Sequence, residues 1–192
     1  NESIYFIIAD VAGKGIHAGM VMAKASTLFE IMSKDKVDPD EMMFHMNNDL
    51  YQTKTAGMFV TCILGEYDLV SEEIRWVNAG HQPALIRTQD GKYSEYISSS
   101  TPLGVIKHKD KSVYKLERTK LSSSRFYVFT DGLSESLDKN GDEIGVEGSI
   151  KIIENNFNTD LKKQLKDVTS EVVKVAGEKN LSDDLTLVGL GN

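Results

Sequence analysis

Apolar residues follow two different patterns along the first third of the chain, a continuous run and then a helical repeat. A continuous apolar run of strand-forming residues, Ile4–Ala9, is typical of a strand buried on both faces. From about Ala18 the apolar positions recur every three to four residues, which predicts an amphipathic helix to about Lys34. A second helix is predicted over about Asp38–Thr53, because Asp38 is a good N-cap and Pro39 suits the first helical position.

The middle and end of the chain combine strand-forming segments with two further helical patterns. β-Branched and aromatic residues between turn signals predict strands over residues 58–67, 73–78, 84–88, 92–97, 112–118 and 125–130. Helical periodicity returns over about 147–156 and 160–176, and a last strand is predicted over 185–190. Because strands and helices do not alternate, this order favours an α+β sandwich of antiparallel sheets covered by helices.

Composition and charge then narrow the function classes. The 192 residues include 29 acidic and 22 basic side chains, a formal net charge of −7. This balance disfavours a nucleic-acid-binding protein, which needs a basic surface, and also disfavours a domain bound to anionic lipid. The single cysteine, Cys62, excludes an internal disulfide and a zinc–thiolate site and favours a cytoplasmic location.

The first residues of the chain carry no targeting signal. Asn1–Asp10 lacks an initiator Met, a basic segment and a small-residue cleavage site. No apolar run approaches the roughly 18 residues of a membrane-spanning helix, so direct membrane insertion is not expected. The chain begins close to the first residue of a predicted strand, and we therefore expect a single domain over residues 1–192 whose first strand or strands lie upstream.

Candidate chemistry is concentrated in aspartates that follow or precede predicted strands. Asp10 ends the first apolar run, Asp131 precedes Gly132 after the strand at 125–130, and the pair Asp183 and Asp184 precedes the last strand. If these carboxylates converge, they form an oxygen-only site that suits Mg²⁺ or Mn²⁺. Taken singly, each aspartate is more often a turn or cap residue. The residues alone leave both interpretations open.

Seven motifs in a fixed order carry a family resemblance. They are DVAGKG, MFVTCILGEYD, WVNAGHQPALI, TPLGV, FTDGLSES, GDEIG and SDDLTLV. This order resembles the SpoIIE/RsbU-type bacterial serine phosphatases of the metal-dependent PPM superfamily, the protein phosphatase type 2C fold. Each motif alone is weak, but seven in register from about Ile4 to Leu190 are specific. The resemblance implies an α/β/β/α sandwich of two antiparallel sheets flanked by helical pairs.

The resemblance also implies a set of metal ligands. Two Mg²⁺ or Mn²⁺ ions are expected, and the implied ligands are the carboxylate of Asp10, which bridges both ions, the backbone carbonyl of Val11, and the carboxylates of Asp131 and Asp183. Asp184 is a less certain neighbour. The attacking group is then a metal-bound water and no phospho-enzyme forms, so Cys62 is expected to be a core residue.

Two departures from the family pattern bear on the chemistry. Lys14 stands where many relatives have a histidine that is a candidate acid, and lysine is a poor proton donor unless its pKa is depressed, so no general acid is assigned. A further family segment of the GGDxYD type, whose aspartate supports the metals through water, is expected upstream. His81 is interpreted as a turn residue whose ring contacts nearby backbone.

The leading hypothesis is a Mg²⁺/Mn²⁺-dependent phosphatase of phosphoserine and phosphothreonine. The resemblance points to a bacterial regulatory protein as substrate, typically an anti-sigma-factor antagonist, and to an upstream sensor or receiver domain. A second copy of the chain is a further candidate partner. Two alternatives stay open: a catalytically weak or silent module that binds a phosphoprotein or partner domain, and a hydrolase of small phosphate esters.

Overall fold

The computed structural model describes residues 2–53, 57–177 and 184–191. Within these ranges it contains five α-helices and eight β-strands. The helices are Gly15–Lys34 (α1), Pro39–Gln52 (α2), Asp131–Ser134 (α3), Gly145–Asn155 (α4) and Leu161–Ala176 (α5). The strands are Ser3–Val11 (β1), Val60–Asp68 (β2), Glu73–Ala79 (β3), Ala84–Arg87 (β4), Tyr93–Tyr96 (β5), Glu117–Lys120 (β6), Arg125–Phe129 (β7) and Leu187–Gly191 (β8).

The chain divides into two compact units, of which the first comprises Asn1–Pro83 and Ile97–Lys120. Its sheet has the order β1-β2-β3-β6, and every neighbouring pair is antiparallel. The helices α1 and α2 share a core with one face of this sheet. Its largest fully buried helical side chains are Met42, Met43 and Met46, which pack with Cys62 and Leu64 of β2.

The second unit comprises Ala84–Tyr96 and Leu121–Asn192. Its sheet has the order β5-β4-β7-β8 and is also antiparallel throughout. The strand β7 is buried along its whole length, as expected for a central strand. Apolar residues of α4 and α5, including Ile153, Val168 and Val172, pack with Tyr127 and Phe129 to form the core of this unit.

The two antiparallel sheets and their helices confirm the predicted α+β class. Most predicted elements lie within three residues of the observed ones, and the main difference is at 112–118. A strand was predicted there, but Lys111–Val113 forms a 3-10 turn and β6 begins only at Glu117. The Asp110 side chain accepts a hydrogen bond from the Ser112 backbone N–H at 2.9 Å, and this local cap competes with strand pairing. The described residues contain no helix long and apolar enough to cross a membrane.

Candidate active site

Asp10 lies at the carboxyl-terminal end of β1, directly opposite Thr61 of β2. The pairing continues one step further, because the Ala12 N–H donates to the Phe59 carbonyl at 2.9 Å. The chain then turns through Gly13, whose φ of 118° is costly for any residue with a Cβ. A Cβ at this position would also lie 3.3 Å from the Met58 Cε. The backbone after Asp10 is therefore fixed by strand pairing and by a turn that requires glycine.

The side chains of β1 alternate between the two faces of its sheet. Tyr5, Ile7 and Val11 pack in the core shared with α1 and α2. The intervening side chains therefore point to the opposite face, and Asp10 is one of them. Thr61 shares that face, because directly opposed residues of an antiparallel pair project to the same side. The carboxylate of Asp10 is thus on the face of the sheet away from the helix pair.

His81 reaches the same corner of the first unit from the loop after β3. Its ring Nδ1 lies 2.9 Å from the Thr61 Oγ1. The loop is closed by Asn78, whose Oδ1 accepts from the His81 backbone N–H at 2.9 Å and whose Nδ2 donates to the Gln82 carbonyl at 3.1 Å. The ring of His81 therefore contacts a hydroxyl group on a neighbouring strand. The sequence interpretation, a contact between the ring and nearby backbone, differs from this.

Asp131 occupies the first position of α3, two residues after the end of β7. The preceding residue, Thr130, joins this corner of the second unit to the last strand. Its Oγ1 donates to the Asp184 carbonyl and accepts from the Thr186 backbone N–H, both at 2.9 Å. The structure therefore brings the backbone of Asp184 to the same corner as Asp131. Asp183 lies outside the described residues.

The donor atoms of the predicted site residues suit a hard divalent cation. Asp10 and Asp131 supply carboxylate oxygens, and Val11 supplies a backbone carbonyl oxygen. Oxygen-only sets of this kind fit Mg²⁺ or Mn²⁺ and do not select zinc or copper. Among residues 2–53, 57–177 and 184–191, no three or more His, Cys, Asp or Glu side chains lie close enough together to hold a metal ion. Asp183 is not among these residues.

Two further candidate residues, Lys14 and Cys62, lie in positions that do not favour a catalytic role. Lys14 is exposed at the N-cap of α1, and its side chain makes no capping hydrogen bond. Cys62 is fully buried in β2, with its Sγ 3.5 Å from the Met43 Sδ. Burial raises the pKa of its thiol to about 12, so the thiolate is not populated near neutral pH. Sequence analysis missed Thr61 and Thr130, although each belongs to a quoted motif.

Comparison with known proteins identifies the family. The two antiparallel sheets and the aspartates that lie beside their strands define an α+β protein with candidate acidic metal ligands. The family model described as stage II sporulation protein E (SpoIIE) matches residues 1–191. The chain therefore belongs to the SpoIIE family.

Known relatives agree with this assignment. The chain is 25% identical over 190 residues to phosphoserine phosphatase RsbU of Bacillus subtilis, a match that covers 98% of this chain and 56% of RsbU. The SiaA PP2C domain of Pseudomonas aeruginosa superposes with a TM-score of 0.81 at 14% identity, covering 99% of this chain and 80% of that domain. The catalytic domain of serine threonine protein phosphatase PstP, in complex with two manganese ions, gives a TM-score of 0.65 at 13% identity and covers 98% of this chain and 90% of that domain.

The structural matches and the curated relatives support different statements about the chain. The structural matches, at 13–14% identity, show that the chain has the PP2C fold. The chain spans between 32% and 56% of the length of the curated relatives it matches.

Proposed function

We propose that the chain is a Mg²⁺/Mn²⁺-dependent phosphatase that hydrolyses phosphoserine or phosphothreonine on a regulatory protein. The observation that carries this proposal is the placement of Asp10 and Asp131. Asp10 is the penultimate residue of β1, three residues before Gly13, and Asp131 follows β7 at the start of α3 and directly precedes Gly132. The resemblance to the SpoIIE family implies a metal ligand at each of these positions. RsbU, the phosphoserine phosphatase of Bacillus subtilis, supports the choice of substrate.

We propose Asp10, the Val11 carbonyl, Asp131 and Asp183 as the ligands of two divalent ions. PstP, whose catalytic domain was solved with two manganese ions, supports this number. When bound, such ions lower the pKa of a water molecule and neutralise the oxygens of the phosphate ester. Asp10 lies in β1 and Asp131 begins α3, so these two carboxylates need little reorganisation during the reaction.

The residues around these ligands restrict their motion. Strand pairing to β2 fixes the backbone of Asp10, and the Thr130 hydrogen bonds fix the backbone before Asp131. No general acid is assigned, since the exposed Lys14 stands where many relatives have a histidine. The leaving serine or threonine oxygen would then take its proton from water.

Release of p-nitrophenol from p-nitrophenyl phosphate, with and without Mn²⁺, tests the enzyme proposal. We expect turnover that requires Mn²⁺ and falls at least about 100-fold in Asp131→Asn, because removing a charged ligand weakens metal binding. Asp142→Asn is the matched control, since Asp142 is exposed in the loop before α4. Turnover without metal, or equal loss in both variants, would contradict the proposal.

The same assay separates the alternative function. A chain that binds Mn²⁺ and a phosphoserine protein but releases no phosphate from either substrate would be a binding module. Release from p-nitrophenyl phosphate alone, with none from phosphoserine proteins, would indicate a hydrolase of small phosphate esters.

The wider assembly is also a proposal. We infer that the two units act as one phosphatase domain whose activity is controlled by a sensor or receiver domain of the same protein. An anti-sigma-factor antagonist is the proposed substrate, and a second copy of the chain is a candidate partner. Comparing the activity of this chain with that of the full-length protein, with and without its signal, tests the control: equal activity in all three would exclude it.

A further inference from the structure

Thr61 lies between two polar residues of the first unit, one placed by a contact of its hydroxyl group and the other by strand pairing. On one side is the His81 ring, with its Nδ1 2.9 Å from Oγ1. On the other is Asp10, directly opposite Thr61 in the β1–β2 pair. The Cβ atoms of opposed residues in antiparallel strands are about 4.5–5.5 Å apart, so a threonine hydroxyl is within reach of the facing carboxylate.

The position of His81 is fixed by several hydrogen bonds. Besides its two contacts described above, the Asn78 Nδ2 donates to the His81 carbonyl at 3.3 Å. The Gly80 N–H donates to the Ser98 Oγ at 2.7 Å. Gly80 has a φ of 69°, a conformation that favours glycine. Asn78 and His81 are only 7% and 8% exposed. The loop therefore holds the imidazole rigidly at the Thr61 hydroxyl.

The tautomer of the His81 ring sets the direction of its hydrogen bond with Thr61. When the ring proton is on Nδ1, the imidazole donates to the Thr61 Oγ1, and the threonine proton is then free to be donated to the Asp10 carboxylate. Metal-binding carboxylates are themselves commonly oriented by such hydrogen bonds, and removing an orienting group typically weakens metal affinity by about 10–100-fold.

We propose that Thr61 and His81 are positioning residues that orient the Asp10 carboxylate for a divalent cation. This inference rests on the proposed function, because it takes Asp10 as a metal ligand. Neither residue needs to touch the substrate. Their role is to select one rotamer of Asp10 before the cation binds, which lowers the cost of ordering it.

Mn²⁺ affinity, measured on the whole chain by titration calorimetry and by the electron paramagnetic resonance signal of free Mn²⁺, tests the inference. Thr61→Val removes the hydroxyl while keeping the shape, and His81→Ala removes the ring. We expect both to weaken Mn²⁺ binding by about 10–100-fold. The conservative variants Thr61→Ser and His81→Asn keep a hydroxyl and an Nδ1-like donor, and should restore most of the affinity.

The controls separate positioning from simple stability. Thr119→Val removes the hydroxyl of a half-buried threonine on β6 of the same sheet, where it pairs with Ile74. It should leave Mn²⁺ affinity unchanged. Because Thr61 and His81 act in series, the double variant Thr61→Val/His81→Ala should bind Mn²⁺ no more weakly than the worse single variant.

The outcomes distinguish this inference from the proposed function. If the wild-type chain binds Mn²⁺ and hydrolyses p-nitrophenyl phosphate but Thr61→Val only lowers the metal-free melting temperature, the positioning role is wrong and the enzyme proposal stands. If the two losses in affinity add fully in the double variant, the two residues do not act in series and the inference is overturned. A wild-type chain with no Mn²⁺ affinity would overturn both.

Discussion

At the scale of single residues, Cys62 illustrates how burial decides chemistry. Its pKa of about 12 means that almost none of the thiol is ionised at pH 7. We therefore expect no labelling of the native chain by iodoacetamide over an hour, and rapid labelling after unfolding in urea, as followed by mass spectrometry. Cys62→Ala should retain Mn²⁺-dependent phosphatase activity within about twofold, because no covalent intermediate on sulfur is proposed. Native labelling that abolishes activity would show that the thiol takes part.

Local sequence signals located some site residues and missed others. Asp10 and Asp131 were predicted at strand ends because an apolar run followed by glycine marks such a position within a few residues. The contact between His81 and Thr61 joins residues 20 apart in the sequence. This contact depends on the pairing of β2 with β3, and the placement of Thr61 opposite Asp10 depends on the pairing of β1 with β2; no local pattern specifies either register. The role proposed for Thr61 could therefore be recognised only after the strands were paired.

At the scale of elements, the helix pair α1–α2 follows Asp10 directly in the sequence but packs on the other face of its strand. The neighbouring Val11 belongs to the core shared with these helices. A movement of the helices would therefore reach the proposed metal site through the backbone of Val11 and the Gly13 turn. Within α1, Met20 and Met22 are 64% and 56% exposed, whereas the methionines of α2 are fully buried. Helical periodicity predicted both helices but not this difference between them.

An ion pair joins α4 to β4 and makes the stability of the second unit depend on pH. The Arg87 guanidinium donates to both carboxylate oxygens of Glu154, Nε to Oε2 at 2.6 Å and Nη2 to Oε1 at 2.9 Å, and the Tyr93 hydroxyl donates to the same group at 3.0 Å. The hydrogen bond from Arg87 is the largest influence holding the pKa of Glu154 below its usual value of 4.5. A carboxyl with a lowered folded-state pKa stabilises the fold above its unfolded-state pKa. That stabilisation is lost as the pH falls through the folded-state value.

Glu154→Gln should accordingly lower the free energy of unfolding at pH 7 but change it less below about pH 4. The Glu154 side chain is 40% exposed, so solvent screening limits the effect to about 1 kcal/mol. Urea denaturation at a series of pH values measures it. Glu143→Gln, at an exposed position before α4, is the matched control and should follow the wild-type pH profile. A Glu154→Gln profile parallel to the wild type at every pH would contradict this account.

At the scale of the whole molecule, the carboxylates of the proposed metal site contribute to the formal net charge of −7. Carboxylates gathered at one site repel one another unless cations are bound, so the metal-free protein should bear an electrostatic cost that the loaded protein does not. Metal binding should therefore stabilise the folded chain.

Thermal unfolding with increasing Mn²⁺ tests this dependence. A ligand at 100 times its dissociation constant stabilises the folded state by about 2.7 kcal/mol, which for a chain of this size raises the melting temperature by about 5–10 °C. Asp10→Asn and Asp131→Asn should each lose most of that increase. Their metal-free melting temperatures should equal or exceed the wild-type value, because one repelling charge is gone. Asp142→Asn should keep the full increase. If Asp10→Asn alone lost it, the metal would be held without Asp131, and Asp131 would have to be removed from the proposed ligand set.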